Sequence, residues 1–115
     1  MATDMKLLRD LAYARSGGLC ERCGIPLADS WALHHRKLKS RGGENNLNNL
    51  VCLHHSCHNG STSSVHNNPA KATEDGFMVA SWVDPADVAI ALDDGSKVLL
   101  TEDGFYRKVE DGNDW

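Results

Sequence analysis

All six histidines and all four cysteines of this 115-residue chain fall between residues 20 and 66. The adjacent imidazoles His34 and His35 can divide labour, one binding a cation and one taking a proton from water, and His58, directly after Cys57, can complete the cation site. Cys20 and Cys23 have the two-residue spacing that turns two thiolates toward one ion, with Gly24 relieving the backbone. Between these groups lie Gly42-Gly43 and Asn49-Leu50-Val51. The pattern predicts metal-dependent phosphodiester hydrolysis carried on a second, structural metal site.

That structural site needs two more ligands. His54-x2-Cys57 repeats the first spacing, and Cys52 paired with Cys57 is the alternative. The reading favours His54, since Cys52 sits in the apolar run Leu50-Val51-Cys52-Leu53 and is expected to be a small buried hydrophobe. Zinc is the expected ion, closed to substrate and contributing folding free energy. Disulfides are disfavoured, because no export signal is evident and histidines accompany the thiols.

Short elements must position these groups. Residues 4–15 predict a helix with Leu7, Leu8, Leu11 and Ala12 on one face, capped by Thr3 or Asp4 and stopped by Gly17-Gly18. Residues 31–36 and 49–53 predict two strands flanking a loop, and a helix begins near His55, shortened or interrupted after Gly60. Asn68-Pro69 predicts a second helix start, ending at Gly76. Residues 77–83, 88–92, 97–100 and 105–109 predict further strands between Asp/Gly/Pro turns, with the last five residues frayed. The expected division is a core over residues 1–79 and an acidic β-rich extension over 80–115.

Net charge is −4, yet residues 1–71 carry nine Lys+Arg against five Asp+Glu, while residues 72–115 carry three against eleven. Arg36, Lys37, Lys39 and Arg41 follow the histidine pair and are expected to track a DNA backbone. The acidic part would repel DNA and is expected to dock a protein. No apolar run approaches the roughly 20 residues of a membrane span, and the N-terminus lacks a signal-peptide pattern, so a cytoplasmic protein with no membrane partner is expected.

Taken together, Cys20/Cys23, His34-His35, Gly42-Gly43, Asn49-Leu50-Val51 and Cys57-His58 resemble the HNH endonucleases, particularly the compact zinc-knuckle type of phages. The resemblance covers roughly residues 12–79, since residues 14–18 and 65–69 also look like phage members. Many members carry cysteine where this chain has His54, and residues 59–64 separate His58 from His66, where some relatives place two histidines one helical turn apart. His66 is read as an exposed histidine before a turn, with its reach to the cation left open.

The resemblance implies an α+β chain with a small ββα-metal (His-Me finger) fold on a structural zinc. It implies His35 as general base, His34 and His58 as ligands of a catalytic divalent cation (Mg²⁺, Mn²⁺, Ni²⁺ or Zn²⁺), and Asn49 as the residue that pins the loop and orients His35. It also implies DNA cleavage to 5′-phosphate and 3′-hydroxyl ends, and a phage terminase large subunit as partner. The competing reading is a non-catalytic zinc module that binds DNA or protein, which would need Cys20, Cys23, His54 and Cys57 but neither His35 nor His58.

Overall fold

In the computed structural model, which describes residues 4–60 and 64–109, helix α1 runs Met5–Ser16. The Asp4 carboxylate caps it by accepting the N–H groups of Lys6 and Leu7, at 3.0 and 3.3 Å. Gly17 ends it in the left-handed region at φ 67°, where a side chain would be strained. Thr3 and the expected frayed end lie outside the described residues. Only part of the expected apolar face is buried: Ala12 is enclosed and Leu8 half-buried, while Leu7 and Leu11 are exposed. The face that meets the core passes through Leu8, Ala12 and Ser16, and Leu7 and Leu11 are turned about 100° away from it.

Strands β1 (Ala32–His35) and β2 (Leu50–Leu53) pair antiparallel, with His34 opposite Val51 and His35 opposite Leu50. The Arg36 N–H adds one more rung, to the Asn49 carbonyl at 2.8 Å. Every β2 residue is buried because both faces of the ribbon are covered. Cys52 packs with Ala12 and Leu47, close to Leu8 of α1, whereas Val51 and Leu53 enter a larger cluster with Phe77, Ile90, Val98 and Leu100. The alternation of a strand thus joins two small cores.

After His54 the chain winds one wide helical turn, Ser56–Gly60. The N–H groups of Val65 and His66 then bond the carbonyls of Cys57 and His58, at 2.8 and 3.0 Å. An unbroken helix bonds four residues back, and here the bond reaches eight back. The four additional residues are passed over, and His66 arrives one helical turn beyond His58. Helix α2 (Pro69–Glu74) follows, with Asn68 at the cap position and Pro69 in the first turn.

Strands β3 (Ile90–Ala91), β4 (Lys97–Leu100) and β5 (Tyr106–Lys108) form a separate antiparallel sheet in that order. Residues 77–83, expected as a strand, form none: the N–H groups of Phe77 and Met78 bond back to the Ala72 carbonyl and that of Val79 bonds the Arg36 carbonyl, so Phe77, Met78 and Val79 are buried without a ladder while Ser81 and Trp82 are exposed. The architecture is α+β, with the ββα unit at its centre. Residues 80–109 do not sit apart from it. Ile90, Val98 and Leu100 share the cluster of Val51 and Leu53, and the Tyr106 hydroxyl donates to Glu21 at 2.7 Å.

Glu21 is also gripped by the Arg15 guanidinium through two bonds, at 2.9 and 2.7 Å, in a pair with no exposed side-chain surface. Arg15 further donates to the carbonyls of Leu47 and Leu50, and the Cys52 N–H donates to Glu21. A buried ion pair holds together only when its remaining donors and acceptors are satisfied, which these partners accomplish. The network ties α1, the Cys20–Cys23 turn, β2 and β5 into one body.

Candidate metal centres and active site

The Cys20–Cys23 turn, the ribbon and the segment from His54 to His66 assemble two clusters of metal-ligand atoms. In the first, one donor atom each from Cys20, Cys23, His54 and Cys57 lie within 4.8 Å of one another. A tetrahedral zinc with bonds of about 2.3 Å to sulfur separates its sulfurs by about 3.8 Å, so the set could hold zinc. His54 Nε2 donates to the Pro26 carbonyl at 2.9 Å, which leaves Nδ1 as the lone pair facing Cys23 Sγ at 3.2 Å. Burial and the neighbouring Cys20 and Cys23 push the Cys57 thiol up to about 12, so three thiolates share this pocket only with a cation among them. Cys52 is outside the set, its thiol held up at about 12 by burial.

The second cluster is His34, His58 and His66, again with donor atoms within 4.8 Å. The three rings meet edge-on, with centroids 5.0, 5.3 and 4.6 Å apart. His34 is buried, and its Nε2 donates to the Phe77 carbonyl at 2.7 Å, leaving Nδ1 to bind a cation. Burial above all, then the neighbouring imidazoles, hold His34 down to about 3, and burial with His66 lowers His58, so both are neutral and ready to ligate. His58 Nε2 and His66 Nε2 are 3.0 Å apart, about the separation of two nitrogens bound at right angles to one ion at about 2.1 Å.

His35 is the last residue of β1 and points to the opposite face from His34. Its Nε2 meets Asn45 Oδ1 at 2.7 Å, so Nε2–H is the donor and Nδ1 keeps a free lone pair. Asn49 clasps the intervening loop: its Oδ1 accepts the Lys37 N–H at 2.7 Å, and its Nδ2 donates to the carbonyls of Lys37 and Glu44, both at 3.0 Å. Gly43 lets that loop close, because a Cβ there would fall 1.8 Å from the Lys37 carbonyl oxygen. The loop so fixed carries Asn45, and through it His35.

Of the four basic residues expected on DNA, Arg36 is a correction. Its side chain is wholly buried, donating to the carbonyls of Gly76, Asn48, Pro85 and Val88. Burial lowers its pKa to about 10, which keeps it charged near neutrality. Arg36 therefore anchors residues 76–88 to the ribbon, while Lys39 and Arg41 are exposed and Lys37 half-buried. Arg36→Met is expected to strand these carbonyls, cost about 3 kcal/mol and lower the thermal midpoint by about 10 °C. Calorimetry of this variant beside Lys39→Ala tests it; a midpoint within about 2 °C of the parent in Arg36→Met would sink the anchoring role.

Two residues at the site escape a reading by spacing. His66 is eight residues from His58, and only the spliced helical ladder brings the pair together. Asn45 is one asparagine among four between residues 45 and 49, and nothing in its neighbours marks it as the partner of His35.

Residues 20–64 match the family model described as HNH endonuclease. No curated protein and no solved structure matches the chain. Among the described residues no helix is long and apolar enough to cross a membrane.

Proposed function

We propose, from the premise that residues 20–64 make this chain a member of the HNH endonuclease family, that it hydrolyses phosphodiester bonds in DNA. The observation that carries the reading is the pair of clusters around one ribbon: a Cys₃His set and a three-imidazole set that includes His34, with a separately held histidine at the ribbon's end. Zinc in the first set serves the fold. His34, His58 and His66 would hold the second cation, which when bound supplies charge to the scissile phosphate and to the leaving 3′ oxygen.

The chain's own residues do the rest. His35 Nδ1 takes a proton from the attacking water while Nε2–H stays fixed on Asn45. Asn49 acts through the loop, holding Lys37 and Glu44 so that Asn45 stays in reach. Lys37, Lys39 and Arg41 contact backbone phosphates, which positions DNA without reading its sequence. The products are 5′-phosphate and 3′-hydroxyl ends. The resemblance of residues 14–18 and 65–69 to phage members extends the reading to a phage enzyme working in the host cytoplasm beside the terminase large subunit, a pairing that co-purification tests.

Incubation of supercoiled plasmid with the zinc-loaded protein and added Mg²⁺, Mn²⁺, Ni²⁺ or Zn²⁺ tests the activity, with end-labelling to identify the termini. Nicked or linear product bearing 5′-phosphate is expected with at least one cation. A folded, zinc-loaded protein that cuts with none of them would be a binding module instead.

A further inference from the structure

Trp82 is the most exposed large apolar side chain among the described residues, at 85 %. It lines a cleft of about 300 Å³ together with Lys37, Glu44, Asn46 and Asp84. The polar lining carries two carboxylates, Glu44 and Asp84. A single ammonium, Lys37, opposes them. Such a wall repels phosphate but suits the N–H groups on the edge of a nucleobase, and an open indole offers the face on which that base can stack.

The cleft adjoins the reacting end of the ribbon. Asn45, which holds His35, lies between Glu44 and Asn46 in the chain, and Lys37 is two residues from His35. A base inside continuous duplex has both faces stacked and its edge paired, so only an unpaired or extruded base presents face and edge together.

We propose that the Trp82 cleft receives an unpaired nucleobase next to the scissile phosphate, which makes the preferred substrate class DNA with a single-stranded or unpaired position. The inference rests on the DNA-nuclease reading above. Trp82 supplies the stacking surface, and the Glu44 and Asp84 carboxylates accept from the base edge.

The test is fluorescence anisotropy with the full zinc-loaded chain carrying His35→Ala, so that DNA stays intact, and no added second cation. Three labelled ligands are compared: a paired duplex, the same duplex with one extra unpaired adenine, and the same bulge with the base removed. The adenine bulge is expected to bind at least about tenfold tighter than the other two. Adding Trp82→Ala is expected to weaken bulge binding about 5- to 150-fold while leaving the duplex unchanged, and Trp82→Phe to restore most of the loss. Equal affinity for bulge and abasic bulge, or indifference of all three ligands to Trp82→Ala, overturns the subsite and assigns the ring to a protein partner. The plasmid assay separates the two failures. A parent that cuts but does not discriminate loses only the subsite, and a chain that neither binds nor cuts loses both readings.

Discussion

Stripping the metal from the Cys20, Cys23, His54 and Cys57 site with a strong chelator is expected to unfold the protein. Structural zinc contributes about 10–16 kcal/mol of apparent binding free energy near neutral pH, whereas a domain of this size is stable by about 5–15 kcal/mol in total. The loss therefore equals or exceeds all the stability there is. Placement makes the effect global: Cys20 is itself a member of the larger core cluster, and Cys23 and Cys57 pack against it. The ion would join the Cys20–Cys23 turn to the segment after β2.

Cys57→Ser is expected to reproduce the chelated state, because it removes one thiolate and leaves two others with no cation to neutralise them. Cys52→Ala is the matched control. It trims a buried sulfur in the smaller cluster and leaves all four ligands in place, so it is expected to keep its zinc at a cost of about 1 kcal/mol. Far-ultraviolet circular dichroism, thermal melting and elemental analysis on the three proteins decide the matter. A metal-free chain that still melts cooperatively near the parent midpoint would show that the thiols are not a structural centre.

What was legible in the sequence was local and periodic. Two-residue spacings bring ligands together with little help from tertiary context, and the apolar runs on either side of a glycine-rich loop pair as a ribbon, while the α+β class and its ββα centre are what the resemblance to the HNH endonucleases implies. Arg36 shows what composition hides. A basic residue in a basic segment reads as surface, yet strand alternation puts residue 36 on the face of His34, the inward one, and residue 37 on the face of His35. Residues 77–83 fail differently, since the buried stretch 77–79 has the apolar composition of a strand and only the missing ladder tells them apart. His66 could not be read at all from spacing, because the excursion between it and His58 erases the helical period that would have joined them.

His35→Ala is expected to lower cleavage by about 10²- to 10⁴-fold, the usual contribution of a positioned general base, while leaving the fold and the zinc intact. The separation of effects follows from where the ring sits. It is half-buried at the end of β1, its side chain bonds Asn45, and among the described residues neither ligand cluster includes it. Its removal costs stability of only about 1 kcal/mol. Asn45→Ala keeps the imidazole but releases Nε2–H, so the ring can rotate and swap tautomers. Its rate is expected to fall between those of the parent and His35→Ala. Single-turnover plasmid cleavage, with zinc content and melting temperature measured on each protein, checks the order. If His35→Ala cuts within a few-fold of the parent, the proton is taken elsewhere, and the imidazoles of His58 and His66 become the groups to test. If it loses cleavage together with its zinc, the effect is structural and the role of base falls. Loss of cutting with metal and stability preserved leaves proton transfer at the ribbon's end as the function that was removed, because the donor atoms of His34, His58 and His66, which could hold a cation, are untouched by the substitution.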